Sequence, residues 1–265
     1  MRVLPRQRAA ALAAGAELLA YGRELGEQAA AQAGGAFTDL APADALIKQS
    51  PEAFLLGVLF TQGIPAERAW AGPYLLQQRV GTLDPRRLAC MSEEVAAAVA
   101  GPPALHRFVR TLPGWIVSAA RRLRDEYGGS ASRIWPPGAS VSEVRERLLA
   151  FEGIGEKKSA MAVEILVRHF GVPLVGLECG TVAYDVHVRR VFLRTGLVDV
   201  DTPTAVAEAA CAVCPEAPGT LDLAAWLVGR DWCRPRSPLC DQCRLGGVCL
   251  RLVERSATGV GVRRA

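Results

Sequence analysis

Two lysines stand side by side in Phe151-Glu152-Gly153-Ile154-Gly155-Glu156-Lys157-Lys158, and the chain keeps only one more, Lys48. Arginine supplies the rest of its 31 basic residues. Arginine serves wherever any cation will do, but it cannot readily provide a neutral primary amine. A retained lysine pair just after a glycine-bearing turn is therefore where amine chemistry is to be sought. Near the other end, "DWCRPRSPLCDQCRLGGVC" places Cys233, Cys240, Cys243 and Cys249 in the pattern C-x6-C-x2-C-x5-C. Four thiols within so short a segment point to a metal centre rather than to core filling or disulfides. Ligand type alone admits structural zinc. Zinc modules, however, usually show two close pairs, and here one pair is flanked by two outliers.

The elements that must carry these residues read as helices. Apolar positions recur at helical spacing over 8–32, 51–61, 66–78, 91–99, 104–126, 142–151, 156–169, 186–195, 203–213 and 220–229. "GIPAE", "GTLDP", "AGPPA" and "IWPPGAS" punctuate them. The one strand candidate is "VPLVGLECGTVAYDV", residues 172–186, short and broken by glycine. No internal repeat is present, and 254–265 reads as a polar, mobile tail. Of the 265 residues, 50% are hydrophobic, enough for a sizeable core in one large or two modest domains. The formal charge of +4 and pI near 8.7 permit a polyanionic partner without requiring one. No stretch is long and apolar enough to span a bilayer. The alanine-rich N-terminus reads as an amphipathic helix rather than a signal peptide, so the expectation is a cytoplasmic protein.

The lysine pair sits between two of these helices. Ser140 and Glu143 form a capping-box pattern for the first. "EGIG" makes the turn, with Gly153 and Gly155 expected to tolerate positive φ and Ile154 to plug the core beneath. The second helix would begin with free N–H groups at its positive end, a natural seat for a nucleic-acid phosphate. Taken alone, such a corner is equally an ordinary structural turn.

As a composite, this stretch resembles the helix-hairpin-helix of the endonuclease III superfamily of DNA glycosylases. Hairpins of that family read hydrophobic-Pro-Gly-hydrophobic-Gly, then any residue, then Lys in the lyase-competent members. Here Glu152 replaces the proline, and Lys158 stands where many members carry Thr. Tyr184-Asp185-Val186-His187-Val188-Arg189-Arg190-Val191 resembles the family's aspartate run, with Val186 in place of Thr. The cysteine spacing matches the [4Fe–4S] motif of these proteins, a cluster suited to four thiolates. The resemblance covers residues 30–250.

The resemblance implies an all-α, two-domain fold. A six-helix barrel domain, 36–171, would end in the hairpin; residues 1–35 plus 172–265 would form the iron–sulfur cluster domain. It implies Lys157 as nucleophile and Asp185 as catalytic carboxylate, stabilising an oxocarbenium-like sugar as the base leaves. Asp185 would at the same time cap the helix that follows it. Gln62 would fill the hole left by a flipped nucleotide, although Pro65 stands where Asp is common. Gly153, Gly155 and Lys158 would meet phosphate, Lys158 alternatively tuning its neighbour. Arg234 and Arg236 would touch phosphate from the cysteine loop. The implied partner is double-stranded DNA with a damaged or mismatched base, bound by a monomer without membrane, at the nucleoid. The implied activity is a glycosylase with Schiff-base AP-lyase chemistry. A monofunctional glycosylase using Asp185-activated water and a non-catalytic iron–sulfur DNA-binding module are the alternatives. "GVPLVGLECGT" makes the spacing from Lys157 to Asp185 longer than in short bacterial members. Phe60, Trp70 and Tyr74 are expected in the core, His187 in a structural role, and Cys90, Cys179, Cys211 and Cys214 as buried thiols.

Overall fold

The computed structural model describes residues 5–31 and 36–253; the tail expected over 254–265 lies outside them. The helices are α1 (Pro5–Ala31), α2 (Ala41–Gln49), α3 (Pro51–Phe60), α4 (Ala66–Val80), the short α5 (Pro85–Leu88) and α6 (Ser92–Ala100). They continue with α7 (Leu112–Glu126), α8 (Val141–Leu149), α9 (Glu156–Arg168), α10 (Val188–Thr195), α11 (Pro203–Val213) and α12 (Leu221–Asp231). The fold is all-α, and among the described residues no strand forms.

The strand expected over 172–186 is thus corrected. One isolated parallel bridge, Ser140 to Val175, is all the pairing this segment makes, and a 3₁₀ turn follows at Leu177–Cys179. A lone segment cannot satisfy its backbone as a sheet without a partner. The helix expected from 104 starts only at Leu112. Upstream, the His106 ring is buried and takes up the Phe60 carbonyl at 3.1 Å and the Phe108 N–H at 3.0 Å, which holds that stretch irregular.

Buried apolar side chains fall into two clusters. One gathers α2 to α9 around Phe54, Phe60, Leu76, Ile116 and Leu148. Trp70 and Phe60 belong to it, as expected for core aromatics. The second joins Leu18 of α1 to α10, α11 and α12 around Val191, Phe192, Leu221 and Val228. Helix α1 packs along α12, so the start of the chain returns to its far end. Neither cluster is served by a helix alone: α9 runs along the boundary, contacting α1 and the turn at Pro218–Thr220 as well as α3 and α8.

Candidate active site

The hairpin is built as its residue types demand. Ser140 Oγ accepts the Glu143 N–H at 3.2 Å and starts α8. Glu143 does not return the bond; it turns along the helix to Arg147. At the turn only Gly153 has positive φ, at 84°. A Cβ there would also lie 2.6 Å from the Trp115 ring, so glycine is required twice over. Gly155 departs from expectation: its φ of −106° suits any residue, and open space surrounds it. What it provides is a bare approach to the first turn of α9, which has no side-chain cap. Ile154 is buried below the turn. Arg145 of α8 bonds Glu156 of α9 at 2.7 Å and closes the hairpin from outside.

The two lysines then part company. Adjacent helical residues point about 100° apart, and here that angle separates surface from interior. Lys157 is half exposed, and its Nζ lies 3.0 Å from Asp185 Oδ2. Lys158 is buried. Its Nζ donates to the Leu59 carbonyl at 2.8 Å and reaches Gln62 Oε1 at 3.4 Å, with the Trp115 ring centroid 5.5 Å away. Burial pushes its amine down to about 8, and the Lys157 charge adds to the effect. The phosphate contact expected of Lys158 is therefore corrected. Its ammonium faces the C-terminal carbonyls of α3, where two donors converge, Lys158 on Leu59 and His106 on Phe60, while Arg107 donates to Gly63 in the loop beyond.

Asp185 arrives from the other side. Its side chain is only 7% exposed. Oδ1 accepts the N–H groups of His187 at 2.8 Å and Val188 at 2.9 Å, so the carboxylate caps α10. The second oxygen is left for Lys157. The capping and catalytic readings of Asp185 are thus compatible: one oxygen fixes the group and the other faces the amine. His187 packs by Trp226 and contacts Arg190, a structural setting.

Gln62 is exposed in the loop after α3, held from below by Lys158. Arg234 and Arg236 are exposed on the cysteine loop. Cys233, Cys240, Cys243 and Cys249 line one small cavity, walled by Val191 and Leu245. No group of three or more His, Cys, Asp or Glu side chains among the described residues is arranged to hold a metal ion. The four thiols surround a space rather than meet at a point. Arg194 reaches Cys233 Sγ at 3.6 Å, and the Arg251 N–H reaches Cys249 Sγ at 3.3 Å, so donors are aimed at the sulfurs. Burial first, then the neighbouring thiols, pushes Cys243 and Cys249 up. Four cysteines around one space, with N–H donors at two of the sulfurs, are a donor set that suits a group bound by thiolates. Of the other cysteines, Cys214 is buried as expected, but Cys90, Cys179 and Cys211 are exposed, a correction.

No family model matches the chain. Over 135 residues it is 30% identical to endonuclease III of Thermotoga maritima, covering 51% of this chain and 54% of that relative. The match thus spans about half of the relative's length. A trapped endonuclease III–DNA covalent intermediate superposes with a TM-score of 0.60 at 19% identity, covering 93% of this chain and 96% of that one. A thermostable thymine-DNA glycosylase gives 0.56 at 16% identity, covering 76% and 83%. The fold is that of the helix-hairpin-helix proteins.

Proposed function

We propose that this protein is a DNA glycosylase with associated AP-lyase activity, acting as a monomer on double-stranded DNA that carries a damaged or mismatched base. The observation that carries the reading is the Lys157 Nζ to Asp185 Oδ2 contact of 3.0 Å beside the uncapped start of α9. Residues 36–171, and 1–35 with 172–265, would act as two domains gripping the duplex. Gly153 and Gly155 would admit a phosphate to the α9 N–H groups, and Arg234 and Arg236 would hold a second stretch of backbone. Gln62 would occupy the gap left by the flipped nucleotide.

The chemistry follows from the pair. Asp185 stabilises positive charge on the sugar as the bond from C1′ to the base breaks, and the base leaves with that electron pair and gains a proton. Lys157, having passed its proton to Asp185 or water, forms a bond from Nζ to C1′. Loss of a second amine proton and cleavage of C1′–O4′, with a proton gained at O4′, open the sugar to a protonated imine; this acidifies the C2′ proton, whose loss expels the 3′ phosphate oxygen, and water then hydrolyses the imine to release the amine. Cys233, Cys240, Cys243 and Cys249 would hold a [4Fe–4S] cluster that ties the loop bearing Arg234 and Arg236 to α10 and α12. When bound, the cluster supplies a rigid cross-link at that loop.

A panel of lesion-bearing duplexes, treated with borohydride and scored with and without alkali, tests the reading. A trapped protein–DNA adduct lost in Lys157→Ala supports it. Base release without any adduct would leave the monofunctional reading, with water activated by Asp185. No base release on any lesion, with DNA still bound, would leave a non-catalytic binding module.

A further inference from the structure

Close to the reacting pair lies a carboxylate that the chemistry above leaves without a task. Asp222, in the first turn of α12, is buried. Its Oδ1 accepts the Ala183 N–H at 2.5 Å, two residues before Asp185. Residues 181–185 lie outside any helix, although Val182 and Ala183 are buried. Such a segment has no ladder to fix it, so its few polar anchors set its position. Downstream, Asp185 is tied to the His187 and Val188 N–H groups. Upstream, Asp222 is the anchor.

The surroundings show how tightly this contact is held. Burial pushes the Asp222 carboxyl up to about 7, the Ala183 N–H opposing, the Asp185 charge adding to the rise and Lys157 opposing it. Glu164 of α9 is also buried and is pushed up to about 7, with Arg168 opposing and Asp222 adding. Arg168 in turn bonds Thr220, just ahead of α12. A buried polar group without a partner is costly, so the Ala183 N–H is a strong reason for Asp222 to stay where it is.

We propose that Asp222 is a positioning residue for the Lys157–Asp185 pair: its oxygen pins the Ala183 N–H and thereby sets where Asp185 meets Lys157. The inference rests on the reading of those two residues as the reacting pair. The task needs an acceptor oxygen rather than a charge, so an amide can replace the carboxyl. A misplacement of an ångström at a reacting group can lower a rate by about 100-fold.

The experiment pairs single-turnover borohydride trapping with amide hydrogen exchange at Ala183 in the full chain. Asp222→Ala is expected to slow trapping at saturating DNA by about 10-fold or more, with DNA affinity within about 2-fold of the parent. Asp222→Asn is expected to restore the rate to within about 3-fold. Ala183 should exchange faster in Asp222→Ala only. Adding Asp222→Ala to Asp185→Asn should cost little further, because both act through one group. Parent-like trapping in Asp222→Ala, or Asp222→Asn as slow as Asp222→Ala, would overturn the proposal. If Asp222→Ala does not fold, Asp222→Asn decides: retained trapping and Ala183 protection support the hold, and a 10-fold loss overturns it. Absence of trapping by the parent protein would sink the reaction assigned to Lys157, whereas unchanged Ala183 exchange in Asp222→Ala would sink the role of Asp222.

Discussion

At the hairpin, residues 151–158, the backbone is fixed by protein groups alone. Trp115 lies against Gly153, Ile154 plugs the core, Arg145 grips Glu156, and Lys158 is tied into α3. At the cysteine loop, residues 233–249, the scaffold is mostly arginine to carbonyl. Arg190 donates to the Cys233 carbonyl at 2.5 Å, and Arg194 to the Arg234 and Pro235 carbonyls at 2.7 and 2.8 Å. Four thiols are left facing a common space. Both regions are short and rich in turns, yet one is closed by packing and the other is arranged around sulfur. The two should therefore fail in opposite ways. The hairpin should tolerate loss of chemistry without loss of shape, and the loop should lose shape when a single sulfur is removed.

Asp185→Asn should give the largest effect. The amide oxygen can still accept from His187 and Val188, so α10 stays capped, while the carboxylate facing Lys157 is lost. Base release in single-turnover assays is expected to fall by about 100- to 10,000-fold, with the melting temperature nearly unchanged. A melting temperature that drops with the rate would mean that the hairpin region shares the fragility of the loop. Cys243→Ser should do the reverse. Iron and sulfide content is expected to fall, DNA affinity to weaken, and proteolysis to open 233–249 while the core around Phe54 and Phe60 stays protected. Zinc bound in place of iron would contradict a loop built around a cluster.

Lys158→Met probes the interior of the hairpin region. A buried ion exchanged for an apolar residue of similar volume often changes stability little, so a change under about 2 kcal/mol is expected at pH 7. The sign with pH is fixed by burial. The folded protein holds the Lys158 proton less tightly than the unfolded chain, with values of about 8 against an ordinary 10.5. The parent should therefore gain stability relative to Lys158→Met as pH rises from 8 to 10.5. Thermal unfolding across that range checks this, and faster amide exchange at 59–63 would report the released Gln62 loop. The smallest effect is expected from Arg234→Ala with Arg236→Ala. Both side chains are exposed, so DNA affinity should weaken several-fold and the salt dependence should shrink by roughly one to two counterions. Fluorescence anisotropy at several salt concentrations reads both.

Helices α4, α9, α11 and α12 lie within a few residues of their expected spans because periodicity is a local signal, whereas α3, buried on every side from Ala53 to Phe60, was legible as a continuous apolar run after Pro51. Helix α2 was missed, since its nine residues carry only two buried positions, Ala43 and Ile47. Tertiary contacts decided the rest. Nothing in the sequence told that the His106 ring would keep 105–111 irregular, or that 172–186 would find no partner strand. In the site, the resemblance singled out Lys157, Asp185 and the four cysteines, and the structure brings the first two to 3.0 Å and the cysteines around one space. The fate of Lys158 could not, because a turn of about 100° decides which of two neighbours enters the core. Helix phase carried one signal: Ala162 and Leu166, four and eight residues on, share the buried side of α9 with position 158. Asp222 and Glu164 carried no signal at all, because their burial appears only when α9 meets the turn at Pro218–Thr220 and the segment at Ala183 lies against the start of α12.

The central claim is that the Lys157 amine, placed against Asp185, attacks the sugar. Its most direct measurement is mass spectrometry of the borohydride-reduced adduct after digestion. Deoxyribose-derived mass is expected on the peptide containing Lys157, at that side chain, and none in Lys157→Ala. An adduct mapped to Lys48, Lys158 or the N-terminal amine, or one that persists undiminished in Lys157→Ala, would contradict it.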